Sequence, residues 1–148
     1  MCKVQSLLVI DDDREDFELI EEAVKLIDSA ITVYFLDRCQ NADQYKGQSF
    51  DLVFLDINMP RHDGFYWLKG IRTSGYPNLP IIMYTNSHRP EHIIQAYKEG
   101  ATLYYPKPTG FKELIKGLKE LITLDWTNPF LITQSHWRDG KYATFQVA

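Results

Sequence analysis

The chain has 148 residues, the length of one domain with a short appendage. With 45% hydrophobic and 14% aromatic residues it can bury a full core, which excludes disordered, collagenous and low-complexity classes. Sixteen basic against twenty acidic residues give a net charge of −4, which argues against a surface built to neutralise nucleic-acid phosphates. The two cysteines, Cys2 and Cys39, form no metal motif, redox motif or disulfide framework, which fits a reducing, cytoplasmic setting. No apolar run approaches membrane-spanning length, and the first ten residues lack a basic start followed by a long apolar stretch. Neither a membrane span nor a signal peptide is expected. The charge is unevenly placed: residues 11–22 hold eight acids and one base, net −7, so the rest of the chain is net positive.

In chain order, short apolar runs rich in β-branched and aromatic residues stand at 7–10, 31–36, 52–55, 81–84 and 103–105, and read as five buried strands. Between them lie segments of helical period. Phe17, Ile20, Val24 and Ile27 share one face; Ile93, Ile94 and Tyr97 share another; Leu114, Ile115, Leu118, Leu121 and Ile122 follow the last strand. Shorter helices are expected at 41–45 and, with Gly70 inside it, at 65–72. Strict β-α alternation predicts an α/β fold with a five-stranded parallel sheet, helices on both faces, and a ligand site at the carboxyl ends of the strands.

Those strand ends carry specific chemistry. The first runs into Asp11, Asp12 and Asp13, the third into Asp56 with Asn58 two residues on, the fourth into Thr85, and the fifth into Lys107 and Pro108. Nucleotide folds place glycines after the first strand so that backbone amides can approach a phosphate; acids stand there instead, and neither GxGxxG nor GxxxxGK[ST] occurs. Carboxylates from two strand ends with a nearby carbonyl suit magnesium, which leaves coordination positions to water and a phosphoryl oxygen. Taken singly, these residues have plainer uses. Asp13, Glu15 and Asp16 are accounted for as an N-cap and first-turn dipole partners, Met83 and Tyr84 as core filling, and His88 and His92, without a third ligand, as surface residues.

With LLVIDDD at 7–13, DLVFLDINMPRHDG at 51–64, IIMYTN at 81–86 and EGATLYYPKP at 99–108, the chain resembles the CheY-like receiver domains of two-component response regulators. The resemblance implies strand order 2-1-3-4-5 and a receiver over residues 1–124. Asp56 is then the phosphoacceptor, Asp11 and Asp12 the acidic pair, and Asp11, Asp12, Asp56 and the Asn58 carbonyl the holders of magnesium. Thr85 is the switch hydroxyl, Tyr104 the aromatic that turns inward after it, and Lys107 the amine that pairs with the phosphoryl group, joined to Pro108 by a bond usually cis in the family. Gly64 falls where the acceptor loop turns. The resemblance implies a stand-alone signalling protein, not a turnover enzyme, that takes phosphoryl from a histidine kinase or phosphotransfer protein and acts on a downstream protein by contact.

Asn86, larger than the small residue usual after the switch hydroxyl, and Pro106, in place of an aliphatic residue, depart from the pattern and imply tighter access to the phosphoryl group. The triplet Phe65, Tyr66 and Trp67 must turn at least one ring outward. Residues 125–148 lie outside the resemblance; their aromatics and the Arg138-Asp139-Gly140-Lys141 run predict a small hairpin that packs on its own domain or makes a homodimer or partner contact, and not a DNA-reading domain. Two other functions share some of these features. A haloacid-dehalogenase-type phosphohydrolase needs Asp-x-Asp at the nucleophile, whereas Asp56-Ile57-Asn58 lacks the second acid, and a receiver used only as a binding module would not need the complete site.

Overall fold

Each strand alternates its side chains between two faces, and here both faces are apolar, as a sheet covered by helices on both sides requires. Leu7, Val9, Leu52, Phe54, Ile82, Tyr84, Leu103 and Tyr105 point into one core, and Leu8, Ile10, Val53, Leu55, Ile81, Met83 and Tyr104 into the other. The computed structural model describes residues 3–37 and 49–148. Within them run β1 (Ser6–Asp11), α1 (Arg14–Ile27), β2 (Thr32–Asp37), β3 (Leu52–Leu55), α2 (Gly64–Thr73), β4 (Ile81–Thr85), α3 (Pro90–Lys98), β5 (Leu103–Pro106) and α4 (Phe111–Thr123). The helix predicted at 41–45, Cys2 and Cys39 fall outside the described residues. The five strands pair in parallel in the order β2-β1-β3-β4-β5, as expected. Among the described residues no helix is long and apolar enough to cross a membrane.

The first core is closed by α1 and α4, through Phe17, Ile20 and Val24 against Leu114, Leu118 and Leu121. The second is closed by Phe65 and Leu68 of α2 and Ala96 and Tyr97 of α3. Of the aromatic triplet, Phe65 is buried, Tyr66 is exposed and stacks on His62, and Trp67 is half-buried. The helix starts are set locally: the Asp13 side chain accepts from the Glu15 N–H, the Asp63 side chain from the Tyr66 N–H, and α3 opens on Pro90. At the opposite end of the sheet from the strand carboxyl termini, Arg72 donates to the carbonyls of Gly100, Tyr76 and Leu79 and to the Thr102 hydroxyl, tying α2 to the loops that enter β4 and β5.

The tail forms the predicted hairpin, β6 (Trp137–Arg138) against β7 (Lys141–Tyr142), with Asp139 at φ 53° and Gly140 at φ 79°, the two left-handed residues of a type I′ turn. It is preceded by a helix the sequence pattern did not reveal, α5 (Pro129–Ser135), which starts on a proline and lays Ile132 on the first core. The tail then covers the open edge of β5. The Phe145 N–H donates to the Tyr104 carbonyl at 2.7 Å, the Thr133 hydroxyl to the Thr102 carbonyl at 2.8 Å, and the Tyr97 hydroxyl to the Ala143 carbonyl at 2.8 Å. Tyr142 stacks on Tyr97 with ring centroids 4.7 Å apart, and Phe145 is buried edge-on against Tyr105. The edge is thus shielded by its own chain.

Truncating that anchor tests the packing. Phe145→Ala should lower the unfolding free energy by about 2–4 kcal/mol, because it opens a buried cavity. Phe130→Ser, at an exposed position of α5, should change it by less than about 0.5 kcal/mol in the same urea titration.

Candidate functional site

Because all five strands are parallel, their carboxyl ends share one rim, and four of them deliver the polar residues found there. Asp11 closes β1, Asp56 follows β3, Thr85 closes β4, and Lys107 follows β5, where its N–H donates to the Thr85 carbonyl at 2.8 Å. Asp11, Asp56 and Thr85 are buried, with 1%, 6% and 0% of their surface exposed, while Asp12 faces solvent. The Lys107 ammonium lies 3.1 Å from Asp11 Oδ2 and 3.6 Å from Asp56 Oδ2, joining residues 96 apart in the chain. Asp11 Oδ1 accepts from the Asp13 N–H and Asp56 Oδ1 from the Ile57 N–H, both at 2.9 Å, so each acid keeps one oxygen fixed by backbone.

The loop after Asp56 depends on glycine at 64. The Gly64 N–H donates to the Ile57 carbonyl at 2.9 Å, and a methyl group there would run into the Asp56 carbonyl oxygen and stand 2.8 Å from Ile57 Cα.

Electrostatics at the rim are unbalanced. Burial, then repulsion from Asp56, raises the Asp11 carboxyl to about 7 despite the Lys107 ammonium beside it. Burial likewise raises Asp56, against the pull of Lys107 and a Thr85 hydrogen bond. Burial alone would depress Lys107, but Asp11, Asp16 and Asp56 outweigh it and keep the amine charged. Carboxylate oxygens of Asp11, Asp12 and Asp56 all lie within 4.8 Å of one another. An all-oxygen, net negative set of that size fits a hard divalent cation, whose charge would remove the repulsion that raises both buried acids.

The structure thus brings together Asp11, Asp12, Asp56, Thr85 and Lys107. Asn58 lies exposed two residues beyond Asp56, and Asn86 is exposed just after β4. Tyr104 is turned in, fully buried, with its hydroxyl donating to the Ser87 carbonyl at 2.9 Å, because the ring gains a core environment and the hydroxyl finds a partner in the loop after β4. One expectation is corrected. Every peptide bond among the described residues is trans, Lys107 to Pro108 included; trans is the lower-energy form of an X-Pro bond where nothing enforces the other.

The structure adds two residues that sequence reasoning had assigned elsewhere. Asp16, read as a first-turn dipole partner, accepts from the Lys107 ammonium at 2.6 Å, and Tyr84, read as core filling, presents its ring 5.5 Å below the same ammonium. The signal for Asp16 was its place one helical turn after the N-cap Asp13; its partner lies 91 residues away, beyond the reach of local pattern.

Comparison with known proteins agrees with this geometry. By sequence the chain is 28% identical to the sensory transduction protein BceR of Bacillus subtilis over 116 residues, 78% of this chain and 48% of that protein. It is 26% identical to the response regulator Rcp1 of Synechocystis over 121 residues, 74% of this chain and 81% of that protein. The chain spans about half the length of the first curated relatives it matches. Among solved structures it superposes on the chemotaxis response regulator CheY4 of Vibrio cholerae with a TM-score of 0.66 at 27% identity, covering 80% of this chain and 98% of that one. A manganese-bound form of Rcp1 superposes at 0.64 and 23% identity, covering 79% and 91%. The phosphohydrolase alternative finds no support in these matches. Residues 7–119 match the response regulator receiver domain, and the chain belongs to that family of phosphorylation-dependent signalling domains.

Proposed function

We propose that this chain receives a phosphoryl group on Asp56 from a histidine kinase or phosphotransfer protein, with magnesium, and signals by contact with a downstream protein. The observation that carries the reading is the Lys107 ammonium seated between Asp11 and Asp56 at the strand ends. The Asp56 oxygen nearest Lys107 attacks phosphorus, the bond from phosphorus to the donor imidazole breaks, and the released imidazole takes a proton. Lys107 offers a fixed positive charge to the transferring oxygens, and the buried Thr85 hydroxyl stands ready to bond one of them. Asp11, Asp12, Asp56 and the Asn58 carbonyl would hold magnesium, which supplies the charge that lets a carboxylate approach an anionic donor. Its setting would be cytoplasmic, as the cysteine usage suggests.

Output is proposed to leave through the face made by α3, β5 and α4, because Tyr104 and Ser87 join the loop after Thr85 to β5. The tail already occupies the edge of that face, through Tyr142 on Tyr97 and Phe145 on β5. Exposed Ile94, Phe130, Leu131 and Trp137 offer apolar area to a partner or a second copy.

Incubation with acetyl phosphate and magnesium should add one phosphoryl mass to the protein, and neither Asp56→Asn nor EDTA-treated protein should gain it; equal labelling of Asp56→Asn would remove the assignment. The raised Asp11 carboxyl gives a pH dependence. Below pH 7 it holds a proton that a cation must displace, so apparent magnesium affinity by calorimetry should rise from pH 6 to pH 8. Folded Asp11 keeps its proton to higher pH than unfolded Asp11. Its contribution to the stability of metal-free protein is therefore lost as pH rises from the ordinary carboxylate range through about 7, a loss that Asp11→Asn should not show. Beryllofluoride with magnesium should change amide exchange at 86–105 and at 136–146 together; a change confined to the first segment would make the tail a passive cover.

A further inference from the structure

We propose that Asp16 is a positioning residue for phosphoryl transfer, the carboxylate that keeps the Lys107 ammonium aimed at the site while its other two partners change role. The inference rests on Asp56 as phosphoacceptor. Lys107 has three N–H donors and three carboxylate neighbours, and the shortest contact, 2.6 Å, is to Asp16 Oδ2, against 3.1 Å to Asp11 and 3.6 Å to Asp56. Asp11 and Asp56 belong to the oxygen cluster that fits a cation, and Asp16 does not. When a cation enters, Asp11 turns its charge to the metal, and when Asp56 becomes an acyl phosphate its contact with Lys107 passes to the phosphoryl oxygens. Asp16 keeps its own.

The setting of Asp16 suits this task. It stands in the first turn of α1, directly after the Asp13 cap, on a helix locked to the sheet by Phe17 and Ile20. The Lys107 side chain is 6% exposed and the Asp16 side chain 23%, so the bond is largely sheltered from water while the carboxylate remains partly hydrated. Tyr84 closes the space beneath the ammonium. Among the described residues Asp16 is the one carboxylate outside the reacting cluster that pairs with Lys107, so without it the four-carbon stem keeps only the Tyr84 ring to fix its position before transfer.

The test compares Asp16→Ala, Asp16→Asn and Asp16→Glu with the parent, each labelled with acetyl phosphate at saturating magnesium. Asp16→Ala should lower the limiting rate of Asp56 phosphorylation about tenfold, with Asp16→Glu recovering part of the loss and the cation requirement unchanged. In a Lys107→Met background Asp16→Ala should cost nothing further, which a general structural defect would not reproduce. An unchanged rate in Asp16→Ala, an equal loss in the Lys107→Met background, or a shift in cation requirement alone would overturn the proposal. Lysine ε-methylene NMR gives a reading independent of phosphorylation. The two geminal protons of Lys107 should be inequivalent in the parent and in Asp56→Asn and become equivalent in Asp16→Ala, and persistent inequivalence in Asp16→Ala would also overturn it. Should the parent take no label, the phosphoacceptor assignment has failed and the NMR comparison alone decides the role of Asp16.

Discussion

Everything at the functional end of this domain depends on a single ammonium group among carboxylates. Burying Asp11 and Asp56 costs free energy that one lysine cannot fully offset, which is why both acids are pushed towards protonation even with Lys107 within 4 Å of each. A fold that tolerates such a site must recover the cost elsewhere, and it does so in two apolar layers of strand side chains covered by helices. The parallel sheet is also what makes the crowding achievable: it puts four strand carboxyl ends on one rim without bringing their side chains through the core.

Much of this was legible in the sequence because the relevant signals are local. Runs such as 52–55 and 81–84 are short, apolar and β-branched or aromatic, and they form the strands β3 and β4. Asp56 stands out because a buried strand ends on an acid followed by a loop that needs glycine at 64. The remainder was hidden for physical reasons. Asp16 sits where any acid would serve a helix dipole, and only the return of the chain at Lys107 gives it a second task. The inward pose of Tyr104 depends on a carbonyl at Ser87, which no side-chain pattern reports. Helix α5 has only seven residues, none of them buried, so hydrophobic period could not announce it.

The tail shows how a short segment that could not fold alone acquires structure. Its hairpin pairs only two residues on each strand and depends on Tyr97, Tyr105 and the β5 backbone for a surface. In return it satisfies carbonyls at Thr102 and Tyr104 that an edge strand would otherwise offer to another chain. Tyr97 links the two: its hydroxyl accepts from the Tyr104 N–H and donates to Ala143, so α3, β5 and the tail meet at one oxygen.

The Arg72 guanidinium at the opposite end of the sheet gives the domain a mechanical polarity. Its four hydrogen bonds clamp α2 to the loops entering β4 and β5, and none of these partners takes part in the chemistry at the rim. One end of the domain is therefore an anchored foot held by neutral carbonyls and a hydroxyl, and the other a charged mouth whose bonds would be exchanged, on the function proposed above, when a phosphoryl group arrives. A displacement that began at the mouth would meet a fixed base below and two packed cores on either side of the sheet, which would leave the flank of α3 and β5 as its outlet.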